Sequence, residues 1–190
     1  MKPAMDTISI AEAKKRLFEL IRTRALFKEK VVLSSGKESN FYLDGRLISL
    51  SAEGSYLIAV IVLDLISKKN ISAIGGPTLG ADPIVGAVAA LSHIREKPVD
   101  TFIVRKAAKA HGRMRQIEGP LLKKDSRVII IDDVATTGKA LIEAKEVLDN
   151  EGIKADEAIV VVDREEGAAE ALSRRGLRLI SIFKASEFGV

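Results

Sequence analysis

The sequence predicts an α/β protein built on a doubly wound, mostly parallel sheet flanked by helices. Three observations carry that prediction. Short apolar runs at 71–74, 101–104, 128–131, 158–162 and 177–182 lack the strict apolar–polar alternation of a half-exposed strand, as strands buried on both faces do. Stretches of helical length separate most of these runs, and strand–helix alternation calls for crossover connections and a parallel sheet. No internal repeat, low-complexity linker or second domain boundary interrupts the 190 residues, so residues 1–190 read as one domain.

Each element can be placed in turn. Residues 9–25 put Ile10, Leu17, Leu20 and Ile21 on one helical face. Short strands at 31–33 and 41–43 surround a Ser-Ser-Gly turn at 34–36. A strongly apolar helix begins at Ser51, carries Glu53 in its first turn, and reaches residue 67. Strand 71–74 ends in Gly75-Gly76-Pro77, and a helix of small residues follows from Gly80 to His93. Strand 101–104 opens into a basic stretch. Strand 128–131 leads to a helix over 139–150, and strands 158–162 and 177–182 enclose a helix at 167–175. In such a sheet ligands sit beyond the carboxyl ends of the strands, so the segments after each strand are where function should lie.

Composition narrows the class. The chain is 47% hydrophobic and 29% charged, which suits a folded globular protein. The absence of cysteine excludes disulfides and thiolate metal sites and agrees with a reducing cytoplasm, the expected location. No apolar run approaches the roughly 18 residues of a membrane span, and residues 1–10 lack the apolar stretch of a secretory signal. The net charge of +4 is spread among mixed acids and bases, with one exception. Arg105, Lys106, Lys109, His111, Arg113 and Arg115 follow one another without an acid between them, which suggests an anionic ligand. Asparagine stands only at 40, 70 and 150 and glutamine only at Gln116, while Lys, Arg and Glu are plentiful; that balance suggests a heat-adapted source.

The most informative segment is Val-Ile-Ile-Ile-Asp-Asp-Val-Ala-Thr-Thr-Gly-Lys at 128–139. Four apolar residues deliver Asp132 and Asp133 to a strand end, and a small-residue loop then opens a helix. Adjacent carboxylates accept hydrogen bonds from a vicinal diol. Backbone N–H groups of 135–139 at a helix start form an anion cradle. Thr136 and Thr137 add donors, and Gly138 lets the backbone approach a phosphate. Diol and phosphate together describe a ribose 5-phosphate. The same residues could instead form an ordinary helix-capping turn. Two other phosphate loops are excluded. Asp133 stands where a P-loop needs its first glycine, Ala140 where it needs Ser or Thr, and no G-x-G-x-x-G lies near a strand end.

This segment resembles the motif of type I phosphoribosyltransferases that binds PRPP (5-phosphoribosyl 1-diphosphate), and the order of elements along the chain agrees. The pattern Arg105-Lys106-x-x-Lys109-x-His111-Gly112 resembles the mobile catalytic loop of orotate phosphoribosyltransferases. The likeness extends to Leu33-Ser-Ser-Gly-Lys-Glu-Ser-Asn-Phe-Tyr-Leu-Asp44, to Gly76-Pro-Thr-Leu-Gly-Ala-Asp-Pro83 and to Val162-Asp-Arg-Glu-Glu-Gly167. It covers nearly the whole chain and implies a small N-terminal hood, residues 1–50, on a PRPP-binding core, residues 51–190.

The resemblance implies transfer of ribose 5-phosphate from PRPP to orotate in pyrimidine synthesis. The expected catalytic residues are Lys109, His111, Asp132 and Asp133. PRPP would be held by these and by Arg105, Lys106, Val134, Ala135, Thr136, Thr137, Gly138, Lys139 and Ala140. Orotate would be held by Arg164, whose guanidinium can grip a carboxylate bidentately, and by Thr136. Arg164 could instead pair with Asp163, Glu165 or Glu166. Mg²⁺ would be bound mainly through PRPP and pyrophosphate, with no metal site made of protein ligands alone. A homodimer is implied, the loop 105–116 reaching the neighbouring site, with no nucleic-acid or membrane partner.

Two positions depart from the family pattern, Ser34 and Gly80, where many members carry lysine; Lys37 and Asp82 are the candidates to supply the missing contacts. His93 has no motif around it and reads as structural. Three other functions compete: a phosphoribosyltransferase for a purine or uracil, a PRPP-sensing regulator that binds nucleic acid, and RNA binding through the basic stretch. Residues 1–30 offer only one helix toward a DNA-binding module, and the basic stretch lacks stacking aromatics.

Overall fold

The computed structural model describes residues 8–29, 31–32, 38–107 and 116–190. The chain opens with α1 (Ile10–Leu20), capped where Ser9 Oγ accepts from Glu12 N at 3.2 Å, and continues through a π-helical turn, Ile21–Ala25. Leu17, Leu20 and Ile21 are buried, as their spacing predicts. Two short antiparallel pairs follow: β1 (Leu26–Phe27) with β4 (Tyr42–Leu43), and β2 (Val31–Val32) with β3 (Glu38–Ser39). A single helical turn, α2 (Arg46–Ser49), leads to α3 (Ala52–Ile66), where Ser51 Oγ accepts from Gly54 N at 3.1 Å.

The remaining elements are β5 (Ala73–Pro77), α4 (Ala81–Ile94), β6 (Asp100–Val104), β7 (Ile117–Glu118), β8 (Arg127–Ala135), α5 (Lys139–Asn150), β9 (Lys154–Asp163), α6 (Ala168–Ser173) and β10 (Arg178–Lys184), closed by a 3₁₀ turn at Ala185–Phe188. The main sheet has the order β10-β9-β8-β5-β6-β7, parallel except for β7. This is the doubly wound α/β fold that the sequence predicts. Ile129 and Ile131 of β8 pack with α1, α3 and α4 on one face, while Val128 and Ile130 pack with α5 and α6 on the other. Both faces are therefore covered, which is why the strand carries an unbroken apolar run. Each buried isoleucine contributes roughly 1.5–3 kcal/mol.

Three strands differ from their sequence-based bounds by three residues or more at one end. The strand expected at 71–74 is β5, which runs through Gly75, Gly76 and Pro77. Glycine serves here because neighbouring strands crowd the backbone: a Cβ on Gly76 would lie 1.8 Å from Ile131 O, and one on Gly75 2.2 Å from Phe102 O. The strand expected at 128–131 is β8, which carries both aspartates within it and ends at Ala135. The strand expected at 158–162 begins earlier, at Lys154, and reaches Asp163.

The topology fixes where a ligand can bind. From β5 the chain steps to β6 on one side, then returns to place β8 on the other and continues outward to β9 and β10. The connections thus diverge between β5 and β8, leaving a crevice at their carboxyl ends.

Candidate active site

Asp132, Asp133 and Gly80 meet in that crevice. Asp132 Oδ1 accepts from Asp133 N at 3.0 Å, and Asp133 Oδ1 accepts from Val134 N at 2.8 Å. Gly80 ends the loop after β5 so close by that a Cβ on it would lie 2.0 Å from Asp132 Oδ1 and 2.6 Å from Asp133 Oδ1. Gly45 backs onto the pair from the N-terminal segment, where a Cβ would lie 2.7 Å from Asp133 Oδ2. Burial first, and then the neighbouring Asp133 charge, raises the Asp132 carboxyl well above its ordinary range. Burial also raises Asp133, opposed by the Val134 N–H bond and by the charge of Arg46. Two carboxylates held together within β8 resist ionising together, and a ligand that donates hydrogen bonds or carries a cation favours the charged form.

Two open pockets adjoin at this pair. One, of about 470 Å³, is lined by the segment from Val134 to Leu141 together with Lys106, Asp132 and Glu143. The other, of about 620 Å³, is lined by Arg46, Thr78, Leu79, Gly80, Lys106, Asp132 and Asp133. Asp132 and Lys106 belong to both. In the first, Gly138 stands in the left-handed region at φ 77° and starts α5, Ile142 N donating to Gly138 O at 3.0 Å. The N–H groups at the start of α5 have no carbonyl within their own helix, so the loop ends in an anion-binding arrangement. Thr136 is half-buried, Thr137 exposed, and Lys139 lies 3.8 Å from Glu143 at the surface.

Arg164 stands one strand away. Its backbone N donates to Ala135 O at 2.9 Å, tying the start of the loop after β9 to the end of β8. Its side chain is 3% exposed; Nε donates to Glu166 Oε1 at 2.7 Å, Nη2 to Phe41 O at 3.4 Å, and the guanidinium carbon lies 4.2 Å from the Phe41 ring centroid. Of the acids that sequence offered as ion-pair partners, Glu166 takes that position, while Asp163 accepts from Glu165 N at 2.9 Å.

The structure therefore brings together Lys106, Asp132, Asp133 and residues 134–140, with Arg164 beside them. Arg105 is turned elsewhere, toward Glu118 at 3.8 Å, and its backbone pairs with Gln116 across the base of the basic loop. Lys109 and His111, like Ser34 and Lys37, lie outside the described residues. Asp82 sits in the first turn of α4; its carboxyl is raised by burial and its charge bears on Asp132. His93 is exposed in the last turn of α4. Sequence reasoning missed Arg46, which lines the second pocket. The signal was slight, a lone cation two residues past Asp44.

A sheet that diverges over paired aspartates and a glycine-started helix defines a phosphoribosyltransferase, and residues 55–187 match the phosphoribosyl transferase domain. The orotate phosphoribosyltransferase of Synechocystis sp. is 40% identical over 180 residues, covering 95% of this chain and 90% of the relative. That of Aquifex aeolicus is 42% identical over 177 residues, covering 92% and 96%. The Mycobacterium tuberculosis orotate phosphoribosyltransferase, solved in complex with PRPP, matches with a TM-score of 0.77 at 34% identity, covering 94% of this chain and 99% of that one. The chain belongs to the orotate phosphoribosyltransferase family. Among the described residues no helix is long and apolar enough to cross a membrane.

Proposed function

We propose that the protein transfers the ribose 5-phosphate of PRPP to N1 of orotate, giving orotidine 5′-monophosphate and pyrophosphate in pyrimidine nucleotide synthesis. The observation that carries this reading is the 2.9 Å bond from Arg164 N to Ala135 O. It sets a buried guanidinium, suited to a planar carboxylate, beside a loop suited to a ribose phosphate.

The residues then divide the work. N–H groups of 135–140 and the hydroxyls of Thr136 and Thr137 hold the 5′-phosphate. Asp132 and Asp133 accept from the ribose hydroxyls and offset positive charge as the C1′–O bond to diphosphate breaks and the N1–C1′ bond forms with inversion, the N1 proton passing to the diphosphate or to solvent. Arg164 and Thr136 orient orotate, so that most of the acceleration comes from placing N1 against C1′. Lys106, with Lys109 and His111, stabilises the departing diphosphate, His111 as a hydrogen-bond or proton donor; Arg105 joins them only by leaving Glu118.

Mg²⁺ fits this donor set as a substrate-held ion. Asp132 and Asp133 each have one oxygen engaged by a backbone N–H. A cation preferring about six oxygen ligands would take most of them from PRPP. When bound, it neutralises diphosphate charge. A homodimer with loop 105–116 shared between sites completes the reading.

The test follows orotate absorbance with PRPP and Mg²⁺, running uracil, hypoxanthine and adenine in parallel. Consumption of orotate that requires PRPP and metal is expected. Turnover of another base in its place would keep the PRPP site and discard the role of Arg164.

A further inference from the structure

We infer that Arg46 is a further binding residue for PRPP, one whose guanidinium holds the diphosphate end of the substrate over the second pocket. The inference rests on the function proposed above and adds a residue to it.

The pocket at the start of α5 and the pocket at Gly80 meet at Asp132 and Lys106. PRPP has a phosphate at each end of its ribose. With the 5′-phosphate on the N–H groups opening α5 and the ribose on the aspartates, the 1-diphosphate falls in the second pocket. That pocket is electrostatically unfavourable for it, because Asp132 and Asp133 form one wall. Like charges at such distances cost several kcal/mol unless cations intervene.

Outside the basic loop 105–116, few of the described positions can supply those cations. Gly80 and Gly45 both press directly on the carboxylates, and a Cβ at either would come within 2.7 Å of a carboxylate oxygen. Neither has room for a side chain, so each contributes backbone alone. Among the described residues, the cations lining the second pocket are Lys106 and Arg46.

Arg46 is built for the task. Asp44 Oδ1 accepts both its backbone N at 3.1 Å and its Nε at 3.3 Å, fixing the stem and one edge of the guanidinium. The terminal nitrogens have no protein partner among the described residues, and the side chain is 49% exposed on the pocket wall. A planar fork pinned along one edge loses less freedom on gripping a phosphate than a mobile lysine would. Its charge also acts on Asp133, so one side chain offsets the acid pair and attracts the diphosphate.

The experiment compares the full-length protein with Arg46→Gln and Arg46→Lys, each with Mg²⁺. Steady-state kinetics would be read beside direct calorimetric binding of pyrophosphate. For Arg46→Gln the KM for PRPP and the Kd for pyrophosphate are both expected to rise about tenfold or more, as for a lost charge-assisted hydrogen bond. The KM for orotate should change less than about twofold, and Arg46→Lys should recover part of the loss because it restores charge without the fork. Unchanged pyrophosphate affinity in Arg46→Gln, or a rise confined to orotate, would overturn the inference. Melting curves verify that each variant is folded. The underlying reading fails separately, if the unmodified protein neither binds pyrophosphate nor consumes orotate.

Discussion

Buried Arg164 and half-buried Glu166 form a pair on one short loop, Nε to Oε1 at 2.7 Å, the guanidinium stacked on the ring of Phe41. The arginine is 3% exposed and the glutamate 22%, so the cation is held in place by a carboxylate that solvent can still reach. In the proposed role, the orotate carboxylate would meet a preoriented donor rather than a mobile one. Arg164→Ala is therefore expected to raise the KM for orotate about tenfold to a hundredfold, the range for a hydrogen bond to a charged group. The KM for PRPP should stay within about twofold. Arg164→Lys should not recover activity, because an ammonium lacks the fork. Equal losses for both substrates would argue that Arg164 supports the fold instead.

How much of this was legible in the sequence depends on what each residue does. Asp132, Asp133 and Gly138 stood out because an apolar strand ending in acids and a glycine-started helix is a rare combination. Arg164 stood out through resemblance, and the structure places it where its backbone joins Ala135. Gly75 and Gly76 read as the end of a strand and belong inside one, which ends at Pro77. The two glycines admit Phe102 and Ile131, and a single chain carries no sign of which neighbour will press on a glycine. Strand β7 pairs only two residues, Ile103 with Glu118 and Val104 with Ile117, too few to leave a periodic pattern. Arg46 was invisible for another reason: it lies 86 positions before Asp132 in the chain, and only the docking of the N-terminal segment over β8 brings the two together.

The acid pair should cost the fold stability. Burial raises both Asp132 and Asp133 in the folded state, so the folded protein binds more protons than the unfolded chain between the ordinary aspartate range and those raised values. Stability then falls as pH rises through that window, and the penalty is present in full above it. Asp132→Asn keeps an oxygen for Asp133 N while removing the charge. It is expected to raise the melting temperature at neutral pH, by roughly 2–4 °C for each kcal/mol relieved in a chain of this size. Activity should be lost. The gain should shrink toward about pH 4, where the ordinary carboxyl is half protonated. Melting curves across pH check this, and a lower melting temperature at neutral pH would contradict it.

Gly80 offers a sharper steric test. A methyl group there would meet Asp132 Oδ1 at 2.0 Å, so either the loop after β5 or the carboxylate pair must move. Gly80→Ala is expected to lower kcat/KM for PRPP by about a hundredfold, the scale of a misplacement of about 1 Å. Gly86→Ala, on the same segment with nothing within 4 Å of the added methyl, should leave activity unchanged. Equal activity in the two variants would mean that the placement of the acid pair is not what the chemistry needs.

Sharing of loop 105–116 between subunits can be tested by mixing. An Asp132→Asn variant would lack the proposed ribose ligand in its own site, and a Lys109→Ala variant would lack a loop cation proposed to serve its neighbour. In the mixed dimer one site receives both defects and the other receives neither. Random exchange makes half of the dimers mixed, each with one intact site, so about one quarter of the unmodified activity should return in an isologous dimer. If each loop served its own subunit, every site in the mixture would carry one defect and no activity would return. Native mass spectrometry on an isotope-labelled mixture verifies that exchange has occurred. The activity of that same sample then decides between a shared and a private site.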